Sequence, residues 1–330
     1  MLKYDRNDFI AKEKIHLDVI PKTEKIVDEV FKKGFSNIFF IGAGGTITSI
    51  WRAESNMKAR TALEYHWEYA AEFTAIGNKR FSKDSLVFVS SVSGDTKEIV
   101  AAVAYAQNAG AKVVGFIEKE GAPLAKAVDY LIHNEGGDSY YWLAVAFRLM
   151  YLNGEFPEYY KLMAEVKKLP ELLADVQEQA DAKAYEYAGM YQDEPIIYIV
   201  GAGNLWSWAY WFAMCLLEEA LWMRTKSIHA AEFFHGTMEV IERDIPVTIF
   251  MGEDDGRPLT ERVYNFVPKI SAKVSVFDSK DYELPGISPE FRGIMSPMVL
   301  SAVCGRISTH LEEKRKHPMQ IRRYYRKLDY

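Results

Sequence analysis

Short apolar runs ending in glycine turns occur at two distant places in this chain, Ile38-Phe39-Phe40-Ile41-Gly42-Ala43-Gly44 and Ile197-Tyr198-Ile199-Val200-Gly201-Ala202-Gly203. Similar runs cover residues 86–89, 113–117, 247–250 and 274–277. Nearly unbroken apolar runs of this length, separated by helix-length patterns, predict parallel strands buried on both faces. The pattern also repeats. Ala70-Ala71-Glu72-Phe73 returns as Ala230-Ala231-Glu232-Phe233, and Ala111-Lys112-Val113-Val114-Gly115-Phe116 returns as Ala272-Lys273-Val274-Ser275-Val276-Phe277. The offsets, Gly42 to Gly201, Ala70 to Ala230 and Ala111 to Ala272, are 159, 160 and 161 residues. Self-similarity drifting by two residues predicts two α/β domains with doubly wound, flavodoxin-like parallel sheets, related by a pseudo-twofold. The expected boundaries are 25–165 and 190–315, with an N-terminal helix ahead of them and a C-terminal tail, 316–330. Residues 151–188 contain Pro157 and Pro170 but are otherwise charged and helix-favouring, which predicts a helical connection and not a flexible linker.

Composition narrows the function classes. The chain has 330 residues, 49% of them hydrophobic, enough for two sizeable cores. A net charge of -6 lacks the basic excess of a nucleic-acid binder, so no nucleic-acid partner is expected. Cys215 and Cys304 are the only cysteines; they suit a reducing cytoplasm and offer no zinc-ligand spacing. The opening segment is charged throughout, without the apolar core of a signal peptide. The longest apolar run, residues 208–217, is ten residues, about half of a bilayer span, and Glu218-Glu219 close it. A cytoplasmic protein with no membrane span is the expectation.

Ligands of open α/β sheets bind at the carboxyl ends of strands. After the strand at 86–89 come Ser90-Ser91-Val92-Ser93-Gly94-Asp95-Thr96 and a helical pattern over 97–109. Hydroxyls and a glycine turn at a helix start suit a phosphate, and equally suit ordinary N-capping by Ser93 or Asp95; the residues alone leave both open. Gly42-Ala43-Gly44-Gly45-Thr46 is not a dinucleotide fingerprint, because Ile47 stands where the third glycine should fall. The equivalent loop of the second half, Met251-Gly252-Glu253-Asp254-Asp255-Gly256, is acidic and would repel an anion. Residues 208–223 read as one apolar helix, which puts Glu219 on a stripe with Cys215, Leu216, Trp222 and Met223 and predicts a desolvated carboxyl with a raised pKa. Pairing with a basic residue such as Arg224 is the structural alternative, and Glu218 is not separable from Glu219 by pattern. His229 and His235 flank Ala230-Ala231-Glu232-Phe233-Phe234; a His before a Gly can move protons, or simply be hydrogen-bonded in place. Serine hydrolase chemistry lacks its G-x-S-x-G elbow.

Gly42-Ala43-Gly44-Gly45-Thr46, Ser91-Val92-Ser93-Gly94-Asp95-Thr96 and Ala231-Glu232-Phe233-Phe234-His235-Gly236, in this order and on this repeat, resemble the sugar isomerase (SIS) domains that bind phosphosugars. The resemblance covers both halves beyond about residue 25 and is strongest to deglycases of phosphorylated fructose- and glucose-amines. It rests there on Leu217-Glu218-Glu219-Ala220-Leu221-Trp222, on Glu232 to Gly236 and on the ending Arg322-Arg323-Tyr324-Tyr325-Arg326-Lys327-Leu328-Asp329-Tyr330. In the isomerase domain of glucosamine 6-phosphate synthase a glutamate precedes a His-Gly pair by sixteen residues, which here selects Glu219.

The resemblance implies that Thr46, Ser91, Ser93 and Thr96 hold the phosphate, with Gly44, Gly45, Glu232 and Tyr330 as further substrate contacts. Glu219 would shift a proton between C1 and C2, and His235 would assist ring opening or donate a proton. Gly45 stands where the synthase has a hydroxyl, so the first loop would contribute less, and His229 would be structural. The implied substrate is a phosphorylated sugar amine, glucoselysine 6-phosphate or fructoselysine 6-phosphate. No metal or organic cofactor is expected, since the substrate's own nitrogen stabilises the intermediate. A homodimer with the site at the subunit boundary is implied, and ammonia transfer from glutamine is not expected. An amino-sugar phosphate aldose-ketose isomerase and a non-catalytic phosphosugar sensor are the alternatives. The cationic, aromatic tail is expected to pack over a phosphosugar site and not to fray.

Overall fold

The computed structural model describes residues 1–329. It divides into two units: Asn7–Pro170, and Met1–Arg6 with the chain from Glu171 onward. The first unit begins with α1 (Arg6–Leu17) and α2 (Val19–Lys33). There follow β1 (Ile38–Gly42), α3 (Gly45–Met57), β2 (Tyr65–Tyr69), α4 (Ala70–Ile76), β3 (Leu86–Ser91) and α5 (Lys97–Asn108). Then come β4 (Lys112–Ile117), α6 (Pro123–Ala127), β5 (Tyr130–His133), α7 (Ser139–Leu152) and α8 (Tyr159–Val166).

The five strands are parallel in the order β2-β1-β3-β4-β5, with Ile38 opposite Leu86 and Leu86 opposite Lys112. Odd-numbered side chains of β1, Phe39 and Ile41, face Phe73 of α4 and the Ala102/Val103 stripe of α5. Even-numbered Phe40 meets Trp142 of α7 at 5.5 Å on the other face, and Phe116 stacks on Tyr141 at 5.3 Å. Helices on both faces explain why β1 and β3 are buried at every position and read as continuous apolar runs. The strand order reverses between β1 and β3, so the loops after Gly42 and Ser91 meet at the switch point where such sheets bind ligands.

The second unit contains α9 from Glu171 to Tyr191, a helix that starts at Leu169, then β6 (Ile197–Gly201), α10 (Asn204–Trp211), β7 (Thr225–His229) and β8 (Val247–Met251). It ends with α11 (Arg257–Phe266), β9 (Val274–Asp278) and α12 (Pro289–Arg315). The sheet order is β7-β6-β8-β9, all parallel, which is the order of the first sheet with one strand fewer. Its switch point lies between β6 and β8. Pro297 inside α12 lacks the N–H that would engage the Gly293 carbonyl, and Asn204 Nδ2 donates to that carbonyl at 2.9 Å instead. The start of α10 is thus tied to α12.

One element departs from the sequence pattern. Residues 208–223 do not form a single α-helix: α10 ends at Trp211, a π-helix spans Phe212–Ala220, and Trp222 turns the chain with φ +54°. The Leu221 N–H reaches back five residues to the Leu216 carbonyl at 3.1 Å. Wider turns remove the three- and four-residue stripe on which burial of Glu219 was predicted. Phe212, Leu217 and Ala220 go inside, and Glu218 and Glu219 point outward.

Candidate active site

At the switch point of the first unit, the loop after β3 is built around Gly94. Its φ is +66°, and a Cβ there would lie 2.4 Å from the Ala122 Cβ, so only glycine fits. The Gly94 N–H donates to Ser91 Oγ at 3.0 Å and its carbonyl accepts from Leu124 N–H at 3.0 Å. That leaves the Ser91 hydroxyl proton available to a ligand. Ser93 Oγ accepts a long 3.5 Å bond from Asp95 N–H. The N-cap of α5 is Thr96, not Ser93 or Asp95, and its hydroxyl makes no capping bond. Thr96 thus leaves the first-turn N–H groups of α5 uncapped by its own side chain. Thr46, in the first turn of α3 beside that loop, donates its hydroxyl to the Ala43 carbonyl at 3.0 Å, spending it on its own turn. Gly44 caps α3 at φ 57°, ψ -128°, with open space where a Cβ would stand, and Gly45 begins the helix.

Sequence reading missed what lies beneath these loops. Asp138, the N-cap of α7, accepts from Ser49 Oγ at 2.7 Å, from Ser90 Oγ at 2.6 Å and from Trp142 Nε1 at 3.0 Å. Arg52 Nη2 donates to Ser49 Oγ at 2.8 Å. Burial pulls the Arg52 pKa below its ordinary value and the Asp138 charge opposes that shift. Burial also pushes the Glu118 carboxyl upward, against the Gly137 N–H that it accepts at 2.7 Å. This network pins the end of β3 to α3 and α7 immediately before Ser91. Its one sequence signal was the Gly136-Gly137-Asp138 turn at a helix start.

The second unit repeats the backbone and fills the space. Gly203 caps α10 at φ 55°, ψ -134°, nearly the angles of Gly44. Where Gly44 faces open space, Gly203 faces the Asp254 carboxylate, which accepts from Asn204 N–H at 2.8 Å and from Gly256 N–H at 2.7 Å. Glu253 beside it is paired with Arg292 at 2.7 Å. The acidic loop does more than repel an anion: Asp254 is itself the anion at that helix start.

In the same unit a cleft of about 630 Å³ opens around Glu218, Glu219 and Trp222, with Arg322, Arg323, Tyr324 and Tyr325 of the tail on its other wall. The expected desolvation of Glu219 is not found; its side chain is 39% exposed, and Oε1 accepts from Arg322 Nε at 3.0 Å and is ion-paired with its Nη2 at 3.0 Å. Its cationic partner is Arg322, from the tail, and not Arg224. Glu218 accepts from the Thr225 hydroxyl at 2.5 Å. Cys215, in the π-helix just before, is pushed up to about 12 by burial and by the Glu219 and Glu218 charges, so it stays a neutral thiol.

His235 lies outside this cleft lining. The turn that carries it buries Phe233 fully and packs Phe234 against Phe266 at 5.3 Å, leaving Glu232 and His235 exposed. His229 accepts from Ala231 N–H through Nδ1 at 3.2 Å and packs on Trp206 at 5.4 Å. Tyr330, an expected substrate contact, lies outside the described residues.

No family model matches the chain. Over 94% of its length it is 28% identical to a fructosamine deglycase of Bacillus subtilis, 97% of which is covered. It is 24% identical to a fructoselysine 6-phosphate deglycase of Escherichia coli, with 98% of each chain covered. A solved structure of a candidate phosphosugar isomerase from Bacillus subtilis matches with a TM-score of 0.90 at 27% identity, covering 98% of this chain and 100% of that one. With two flavodoxin-like sheets and a glycine loop at each switch point, the chain is similar in sequence and fold to sugar isomerase (SIS) proteins. Among these, the likeness over nearly the whole chain runs to the fructosamine and fructoselysine 6-phosphate deglycases.

Proposed function

We propose that this protein is a deglycase of phosphorylated sugar amines, acting on fructoselysine 6-phosphate or glucoselysine 6-phosphate. The observation that carries this reading is the match to a fructosamine deglycase across 94% of the chain. The local geometry supports it. In the first unit the hydroxyls of Ser91, Ser93 and Thr96 and the start of α5, which Thr96 does not cap, supply donors for a phosphate, with Gly44 and the first residues of α3, Gly45 and Thr46, beside them. The Asp254 carboxylate explains why the second unit does not duplicate that role.

Glu219 is the base, placed in a cleft large enough for a sugar carrying a bulky amine. It removes a proton from the carbon beside the carbonyl of the ring-opened substrate, C1 when the amine sits on C1 and C2 when it sits on C2. The electron pair forms an enaminol. Return of the proton to the neighbouring carbon leaves an imine, and water adds to the imine carbon to release the amine and a hexose 6-phosphate. The substrate nitrogen stabilises the intermediate, so the chemistry runs without a cofactor. His235 opens the ring or delivers the proton. Its exposed turn, outside the lining of the Glu219 cleft, favours a homodimer in which the partner subunit's His235 completes the site. Among the described residues no helix is long and apolar enough to cross a membrane, and the two free thiols suit a reducing cytoplasm.

The test is to incubate the protein with fructoselysine 6-phosphate and glucoselysine 6-phosphate side by side. Free lysine and a hexose 6-phosphate should appear in equal amounts from at least one. Isomerisation of an amino-sugar phosphate without lysine release would favour the isomerase alternative, and binding without turnover the sensor.

A further inference from the structure

Two cations in the Glu219 cleft are left over once its ion pairs are assigned. Arg322 is fully engaged: Nε and Nη2 hold Glu219, and Nη1 donates to the Met319 and Ile321 carbonyls. Arg224 and Arg323 line the same cleft, both exposed, and neither is ion-paired among the described residues. The Arg323 guanidinium carbon sits over the Trp222 indole, 4.2 Å from the ring centroid, with His317 packed edge-on against that ring at 4.4 Å. An indole platform fixes the orientation of a guanidinium and leaves its in-plane N–H donors directed outward, which is the geometry for bidentate binding of a carboxylate.

The backbone indicates that the platform is there for a purpose. Trp222 takes a left-handed turn at φ +54°, where its N–H donates to the Glu218 carbonyl at 3.1 Å and the next N–H, Met223, donates to Leu217 at 2.8 Å. Glycine is the residue that closes a helix this way without strain, and a bulky side chain in that conformation is a genuine outlier. Here the strained residue carries the ring on which Arg323 rests, and Glu218 and Glu219 lie four and three residues before it.

We propose that Arg323, oriented by Trp222, and Arg224 read a carboxylate on the amine portion of the substrate, so that sugar amines of amino acids are preferred to those of carboxylate-free amines. This rests on the deglycase reading and adds to it the chemical group that selects the amine. Arg323 and Arg224 are specificity-determining residues on this account; they take no part in proton transfer. A phosphate is the other anion that two guanidiniums would attract, and the comparison below separates the two.

The experiment uses the lysine adduct that the enzyme cleaves and its cadaverine counterpart, which has the same linkage, phosphate and chain length but no carboxylate. The full-length enzyme should favour the lysine compound by at least tenfold in kcat/KM, mainly through KM. Arg323→Gln and Arg224→Gln should each reduce that ratio severalfold, the double variant should bring it close to one, and Trp222→Leu should behave as Arg323→Gln does. Affinities of both compounds, measured by calorimetry in the Glu219→Gln enzyme, should show the same preference and the same loss. Equal handling of the two compounds by the unmodified enzyme overturns the inference while leaving deglycase activity in place. Arginine variants that weaken both compounds alike would mean that these side chains meet the phosphate. Absence of amine release from either compound, with carboxylate-dependent binding retained, would count against the deglycase reading and not against this one.

Discussion

Asp254 holds its carboxylate against the backbone N–H of Asn204 at 2.8 Å, at the helix start that repeats the Gly44 turn of the first unit. One copy of the duplicated glycine turn faces open space and the other is filled by the chain's own anion. The two helix starts are similar in backbone, and a single side chain, Asp254, fills the space at one of them.

Removing that side chain should have two consequences. Asp254→Ala leaves the Asn204 and Gly256 N–H groups without their acceptor and should cost about 2 to 4 kcal/mol in urea unfolding. Inorganic phosphate should then restore part of the loss in the variant and add much less to the unmodified protein. Equal stabilisation of both by phosphate would show that the carboxylate does not occupy an anion position.

Ser93→Ala combined with Thr96→Ala tests the first-unit loop. The Thr96 hydroxyl does not cap α5 and Ser93 makes only a long 3.5 Å bond to Asp95 N–H besides its other contacts, so the fold should be intact, while sugar phosphate binding should weaken by about 2 to 4 kcal/mol. Unchanged affinity by calorimetry would remove the phosphate assignment.

Glu219→Gln keeps the side-chain shape and removes the base. Its kcat should fall by about 10² to 10⁴ with an unchanged circular dichroism spectrum, because the residue is exposed and contributes little packing. Glu218 is bonded to Thr225, and Glu218→Gln should be the milder change. The opposite ranking would identify Glu218 as the base.

Deletion of residues 324–330 addresses the tail. Tyr324, Tyr325 and Leu328 are 61%, 47% and 60% exposed, so the melting temperature should hardly move. Yet Tyr324 and Tyr325 line the cleft, and kcat/KM for the full substrate should fall at least tenfold. Full activity after truncation would make the tail irrelevant to catalysis.

Mixing two inactive proteins probes the shared site. If the partner subunit's His235 serves the Glu219 cleft, Glu219→Gln and His235→Ala proteins denatured and refolded together should recover about a quarter of normal activity, since half of the dimers then carry one intact site. No recovery, with mixed dimers shown to form by mass spectrometry, would place both residues in one subunit's site.

The buried strands were legible in the sequence because a parallel strand covered on both faces is apolar at every position, as β1, β3, β6 and β8 are. The edge strands β2, β5 and β7 were not, since Tyr65–Tyr69 and Thr225–His229 mix polar and apolar residues and are only partly covered. The glycine loops, the hydroxyl loop and the Glu-Glu pair were visible as local chemistry, because a turn or a helix start is set by residues next to one another.

Partnerships across long separations were not visible. The π-helix at Phe212–Ala220 has no counterpart in the α-helical spacing of the sequence, and it overturned the burial of Glu219 that this spacing implied. The Arg322 partner of Glu219 lies 103 residues away, and Ser90 is joined to Asp138 across 48. Sequence determined which residues could hold phosphate or move a proton, since those capacities belong to side chains and short turns. Only the tertiary structure decided which charges neutralise each other and which stay available, because in water the strength of an ion pair depends on distances and burial that the folded chain alone sets.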